Sequence, residues 1–165
     1  MIRAAKKADL AAIEALLENA RGFMEKNGNP TQWRNGYPPR ELIESDIETG
    51  IGYVCEHEGQ VHAYFAFILG RDKTYEVIDG AWLNEEPYGT LHRVAASGQV
   101  RGMMDEIVRW AWRQCPNLRA DTHERNAPMR RALERNGFVP CGTIWVFDGT
   151  PRVAYHKCEG GAACG

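Results

Sequence analysis

The sequence predicts a mixed α/β fold, a sheet with helices on both of its faces, from three observations. Apolar residues alternate in some segments and recur every three or four residues in others. The resulting order is strand, helix, helix, three or more strands, helix, strand, helix, two strands, which suits a sheet covered on both sides. At 165 residues the chain is one domain, long enough to bury roughly 70% of its unfolded surface.

Residues 2–4 read as a first strand and 6–20 as a helix. That helix has Leu10, Ile13, Leu16, Leu17 and Ala20 on its core face, with Asp9 favourably placed in its first turn. The stretch 22–39 is irregular, rich in Asn, Gly and Pro, and carries Trp33 and Tyr37; loops of this length are uncommon and often functional. Residues 40–48 look helical, with Gly50 as terminator. Two strands, 52–56 and 60–69, flank a His57-Glu58-Gly59 turn, the second alternating through Val61, Ala63, Phe65, Phe67 and Leu69. Residues 75–83 are read as extended.

A strand at 91–96 precedes a helix at 99–114, whose buried face is Val100, Met103, Met104, Ile107, Val108, Ala111 and Trp112. A strand follows at 118–122. The next helix, 126–136, has Asn126 as cap and Pro128 in its first turn, where a missing N–H costs little. Segments 139–147 and 151–157 form a hairpin around Asp148-Gly149-Thr150. Residues 1–158 are thus expected to form the domain, and 159–165, rich in glycine, a disordered tail.

Composition excludes several classes. A net charge of −2 gives no field for nucleic acid or an anionic membrane, and Glu124 and Glu134 dilute the one basic cluster, Arg125 to Arg135. No apolar run approaches the ~20 residues of a membrane span, and the first residues lack a signal peptide's apolar core. Five scattered cysteines without a CxxC pair speak against a disulfide framework or a zinc site, and for reduced thiols. No metal is expected.

The most informative segment is the polar, glycine-containing turn from Ser97 to Gly102, which feeds directly into a helix. The first N–H groups of such a helix lack partners, and with the positive end of the helix dipole they form a site for a phosphate or diphosphate.

Two motifs give the chain a resemblance to the GCN5-related N-acetyltransferase (GNAT) family. The first is the turn Gln99-Val100-Arg101-Gly102-Met103-Met104, similar to that family's acetyl-CoA motif Gln/Arg-x-x-Gly-x-Gly/Ala. The second is the strand 118–122 and helix 126–136 ending in Gly137-Phe138. The element order agrees over nearly the whole chain. Segments Gln32-Trp33…Gly36-Tyr37-Pro38 and Gly80-Ala81-Trp82-Leu83-Asn84 further resemble a bacterial subgroup of small members.

The resemblance implies a mixed, mostly antiparallel sheet of six to seven strands, flanked by about four helices, with the central strands splayed apart. It implies acetyl-CoA as donor, with the backbone of His92, Arg93 and Val94 along the pantetheine arm. Residues Gln99, Val100, Arg101, Gly102, Met103, Met104 and Asp105 would hold the diphosphate, and the Asn126 side chain the amide arm. Met104 stands where the family prefers Gly or Ala. Leu133 stands where many members carry the tyrosine that protonates the leaving thiolate.

The activity implied is transfer of an acetyl group to a primary amine of a small molecule, less readily of a protein or peptide, by direct attack in a ternary complex. The alternative is a non-catalytic acyl-CoA-binding or sensor protein. An amine with an ordinary pKa near ~10 needs a base at neutral pH. Asp121 is the first candidate, on one strand face with Arg119 and His123, although it is equally suited to pair with Arg119 or a helix arginine. His123 and His92 are the others. Asp79 and Trp82 are candidates to hold the substrate, and Trp33 and Tyr37 to wall its pocket. The thiolate would take its proton from Tyr155, Tyr88 or water. A cytoplasmic monomer or homodimer that touches neither nucleic acid nor membrane is expected.

Overall fold

A computed structural model describes residues 1–159. Strand β1 (Ile2–Ala4) and a 3-10 turn at Lys7–Asp9 lead into α1 (Leu10–Lys26), then α2 (Arg40–Glu48), β2 (Gly52–His57) and β3 (Gln60–Leu69). A two-residue β4 (Asp79–Gly80) and β5 (Gly89–Ala96) precede α3 (Met103–Gln114) and β6 (Asn117–Thr122). Helix α4 (Ala127–Arg135) and the hairpin β7 (Val139–Trp145) and β8 (Pro151–Cys158) complete the fold. The strands form one sheet in the order β1-β2-β3-β5-β6-β8-β7-β4, eight strands where six to seven were expected. Every neighbouring pair is antiparallel except β5 and β6.

Alternation along the strands divides the core between two faces. Val54, Tyr64 and Ala95 pack with Ile13, Leu17 and Ile43 from α1 and α2. Their neighbours Cys55 and Phe65, with Leu91, Leu118 and Ala120, pack with Ile107, Ala111 and Leu133 from α3 and α4. Helices therefore cover both faces, as the apolar periodicity predicts.

Three boundaries differ from the sequence reading. Helix α1 continues to Lys26, because Met24 extends the buried stripe beyond Gly22. Helix α3 begins at Met103, because Gly102 sits at φ +77°, a left-handed conformation that ends the turn before the helix. Residues 75–83 are not a strand. The Asp72 carboxylate accepts from Thr74 N and Oγ1 and winds a 3-10 turn at Lys73–Tyr75, and the Trp82 indole donates back to the Tyr75 carbonyl. Only β4 is extended there, and its Gly80 pairs with Gly142 so closely that a Cβ on Gly80 would meet the Cys141 carbonyl at 2.2 Å.

Cys55, Cys115 and Cys141 are free, as expected, whereas Cys158 is disulfide-bonded, which corrects the reading of reduced thiols at that position. Among the described residues no helix is long and apolar enough to cross a membrane. Glu159 is an exposed turn residue, and the rest of the expected disordered tail, 160–165, lies outside the described residues.

Candidate active site

The site originates where the one parallel strand pair fails. β5 and β6 pair only at Gly89↔Leu118 and Thr90↔Arg119; beyond that β5 stays with β3 while β6 runs with β8 to Thr122. The side of β5 that faces β6 is therefore unpaired from Leu91 onward. β5 is also bulged: its register against β3 shifts between Tyr64 and Ala66, and Arg93 adopts φ +53°. Asp46 of α2 fixes the bulge, accepting from Arg93 Nε (3.0 Å) and Nη2 (2.8 Å) and from the Tyr64 hydroxyl.

Two cavities of about 280 Å³ each open in this split. One is mainly apolar and runs along Val94, Ala95 and Ala96 to Gly98, Met103 and Ile107. The other is walled by polar groups, including Asp72, His92, Asp121 and Arg152. They are contiguous, for Met24, Val94, Met104, Asn126 and Met129 line both.

In the polar cavity His92 Nε2 lies 2.7 Å from Asp72 Oδ2, with both side chains about four-fifths buried. Burial acts to raise the Asp72 carboxyl, but hydrogen bonds from His92 and Thr74 prevail and hold it down at about 2. Across the split the Tyr75 hydroxyl donates to Asp121 Oδ2 at 2.6 Å, and the Tyr75 ring lies 5.9 Å from that of His92. Burial, reinforced by Asp121, pushes the Tyr75 phenol well above its ordinary value, so it stays a donor. Neither of the two sequence-based pairings of Asp121, with Arg119 or a helix arginine, forms. Asp72 and Tyr75 were missed in the sequence because they lie in the segment read as extended or just before it.

The loop between α1 and α2 roofs this cavity. Gln32 Oε1 accepts from Asn29 Nδ2 (2.8 Å), Asn126 Nδ2 (3.1 Å) and His123 N (3.3 Å), tying the loop to the end of β6 and the cap of α4. Trp33 and Tyr37 line the cavity, with the Phe147 ring tilted against that of Tyr37 at 5.5 Å.

The turn before α3 suits an anion. Gly102 caps the helix with no side chain bonded to its first N–H groups. The carboxylates of the first helical turn are held by other partners: Asp105 accepts from Arg135 and Asn136, and Glu106 pairs with His57 and the N-terminal amine. Gln99 and Arg101 are exposed and Val100 half-buried. Asn126 stands at the junction of the cavities, its Oδ1 capping Met129 N (3.3 Å).

Other candidates lie elsewhere. His123 lines neither cavity; its Nδ1 accepts from Arg125 N in the loop after β6. Asp79 is exposed on β4, held against β7. Trp82 is buried in a side cluster, its ring 4.2 Å from the Arg119 guanidinium. Tyr155 is fully buried between Arg130 and Glu134, and the Tyr88 hydroxyl accepts from Asp72 N, so neither faces the cavities. Leu133 lines the polar cavity.

No family model matches the chain, and no curated protein matches it. Solved structures do. A GNAT-family acetyltransferase from Streptococcus agalactiae is 34% identical over 96% of this chain and 95% of that one, with a TM-score of 0.88. A GNAT-family acetyltransferase from Listeria monocytogenes shares the fold at 19% identity and TM-score 0.69, over 95% of this chain and 93% of that one. So does an aminoglycoside acetyltransferase in complex with coenzyme A and kanamycin, at 19% identity and TM-score 0.63, over 96% and 94% of the two chains. With a relative above 30% identity matched over nearly its full length, the split sheet and its anion-ready turn belong to a member of the GCN5-related N-acetyltransferase family.

Proposed function

We propose that the protein is an acetyl-CoA-dependent N-acetyltransferase that acetylates a primary amine of a small molecule by direct attack in a ternary complex. The observation that carries this reading is the meeting of an apolar channel and a polar cavity at the split of β5 and β6. The apolar channel ends at the glycine turn before α3, whose first N–H groups no side chain caps, which suits a donor with an anionic head and a long arm. Acetyl-CoA, when bound, supplies the activated acyl group. Backbone of His92 to Val94 would run along its arm, N–H groups of residues 99–105 would hold its diphosphate, and Asn126 sits where its amide would pass.

His92 is the base in this reading. With Nε2–H donating to Asp72, Nδ1 carries the lone pair that accepts the amine's proton, and Asp72 stabilises the imidazolium that results. Asp121, fixed by Tyr75, holds the incoming ammonium on the other wall. The amine nitrogen bonds to the acyl carbon, the carbon–sulfur bond breaks, and the thiolate takes a proton from water. Coenzyme A is an intracellular metabolite, so the reaction belongs in the cytoplasm. Leu133 and Met104 in the cavity walls favour a second reading, a non-catalytic acyl-CoA-binding protein.

The first test is the unfolding temperature over an acetyl-CoA series. At 100 times Kd the donor adds about 2.7 kcal/mol, a rise of roughly 5–11 °C. An amine panel with thiol detection follows. A saturable rise with no acetyl transfer to any amine supports the second reading, and no rise refutes both.

A further inference from the structure

Arg152, near the start of β8, is 6% exposed and lines the polar cavity. Its Nη1 donates to Thr150 Oγ1 (3.0 Å) and the Pro151 carbonyl (2.8 Å), and its Nη2 to the Gln32 carbonyl (3.3 Å). All three acceptors are neutral. Among the described residues no carboxylate lies within 4.0 Å of it; Asp121 and Asp148 act on it only through space, with Arg34 opposing them. The other guanidinium on this wall, Arg93, is clamped by Asp46. Arg152 is therefore a buried cation without a counter-ion, an arrangement that is costly unless a ligand completes it.

The guanidinium's five N–H donors are only partly used. Nε–H has no protein acceptor and Nη2 has only the 3.3 Å contact to the Gln32 carbonyl, and these two nitrogens share the edge of the guanidinium that takes a carboxylate with two parallel bonds. The strand register sets the distance to the rest of the site. Asp121 pairs with Ala154, so Arg152 lies on the same face of the sheet, one diagonal step from Asp121. An anionic and a cationic group thus stand side by side in one cavity.

We infer that Arg152 is the carboxylate-binding residue of the acceptor site, and that the acceptor is an amine carrying a carboxylate, of which an amino acid is the simplest. The inference rests on the transferase reading for the acceptor's role, but carboxylate binding by Arg152 is measurable without catalysis. Simple alkylamines would leave the guanidinium unpaired. The aromatic wall of Trp33, Tyr37 and Phe147 leaves room for an apolar side chain on the acceptor.

The test compares pairs that differ by the carboxylate alone, phenylalanine with phenethylamine and lysine with cadaverine, on the wild type and on R152K and R152Q. We expect kcat/KM for the acid member to exceed that of its partner by about 10²-fold, as loss of a buried hydrogen-bonding match implies. In R152Q this ratio falls toward one, mainly through KM, and R152K restores part of it. Independently of turnover, phenylalanine raises the unfolding temperature of the wild type, alone or with coenzyme A, and phenethylamine raises it less. That difference disappears in R152Q. A wild-type ratio near one, a ratio unchanged in both variants, or phenylalanine shifts that are absent or equal to those of phenethylamine overturn the inference. Absence of acetyl transfer with the phenylalanine shift intact would refute the transferase reading alone. If R152Q does not fold, R152K carries the comparison.

Discussion

Arg93 grips both carboxylate oxygens of Asp46, at 3.0 Å from Nε and 2.8 Å from Nη2, while its own backbone stands at φ +53°. A left-handed conformation costs a non-glycine residue roughly 1–2 kcal/mol, so something must hold it. The pair does this by tying β5 to α2 at the wall of the polar cavity, and fixes the bulge that shapes the open edge of β5. Both side chains are nearly buried, so removing one leaves the other charge unpaired. We expect D46A to lose about 3–5 kcal/mol, or roughly 6–20 °C in Tm. Acetyl-CoA affinity should fall as well, because the relaxed bulge no longer presents the edge. Denaturant unfolding and donor titration measure the two effects separately.

The Asp72–His92 pair has an acid signature. The folded carboxyl, at about 2, is below its ordinary 3.8, so its contribution to stability is complete above about pH 4 and lost as pH falls through about 2. The shift corresponds to roughly 2 kcal/mol, and D72N should remove that part of the pH dependence. On activity, H92Q should lower kcat by about 10²-fold or more, the range for a general base. D72N should lower kcat with KM for acetyl-CoA unchanged. A kcat unmoved in H92Q would pass the base role to Asp121.

The fold was largely legible because its signals are local. The period of Leu10, Ile13 and Leu17 and the alternation from Val61 to Phe67 needed no tertiary knowledge, and the Asn126 cap and the glycine turn mark their helices directly. The candidate site was legible only where its lining lies on those elements, as His92 and Asp121 do. Asp72 and Tyr75 reach it through a 3-10 turn whose sequence, Lys73-Thr74-Tyr75, has no period to read. Arg152 becomes informative only once its lack of a carboxylate is known. Trp82 and Asp79 misled for the converse reason. Their segment, with Gly80 at its centre, marks a close strand approach and an Arg119 stacking site, with Arg119 held between Trp82 and Tyr88 at 4.2 and 4.0 Å.

His156 should govern stability under milder acid. It is fully buried, accepts from Leu83 N at Nδ1 (3.1 Å) and lies 2.7 Å from Asn117 Oδ1 through Nε2. Burial first, and the Arg119 charge second, push its imidazole down to about 4 from 6.5. The unfolded chain therefore takes up this proton before the folded one does. Stability present above about pH 6.5 is lost as pH falls toward about 4, by an amount on the order of 3 kcal/mol. In H156Q the slope of unfolding free energy against pH over this window should flatten. An unchanged slope would assign the acid sensitivity to another group.

Gly102 shapes the turn proposed to hold the donor. At φ +77° it ends the turn and orients the first N–H groups of α3, yet a Cβ added there would meet nothing within 4 Å. G102A therefore isolates backbone strain from crowding. The strain is about 1–2 kcal/mol, and Tm should fall by roughly 2–8 °C. If the turn holds the diphosphate, the variant relieves its strain by rotating those N–H groups, so the acetyl-CoA-induced rise in Tm should shrink as well. Adenosine, which lacks the diphosphate, should bind both proteins alike. A variant that loses stability but keeps the full donor-induced rise would mean that the diphosphate is held elsewhere, and would remove the turn from the binding site while leaving the cavities at the β5–β6 split in place.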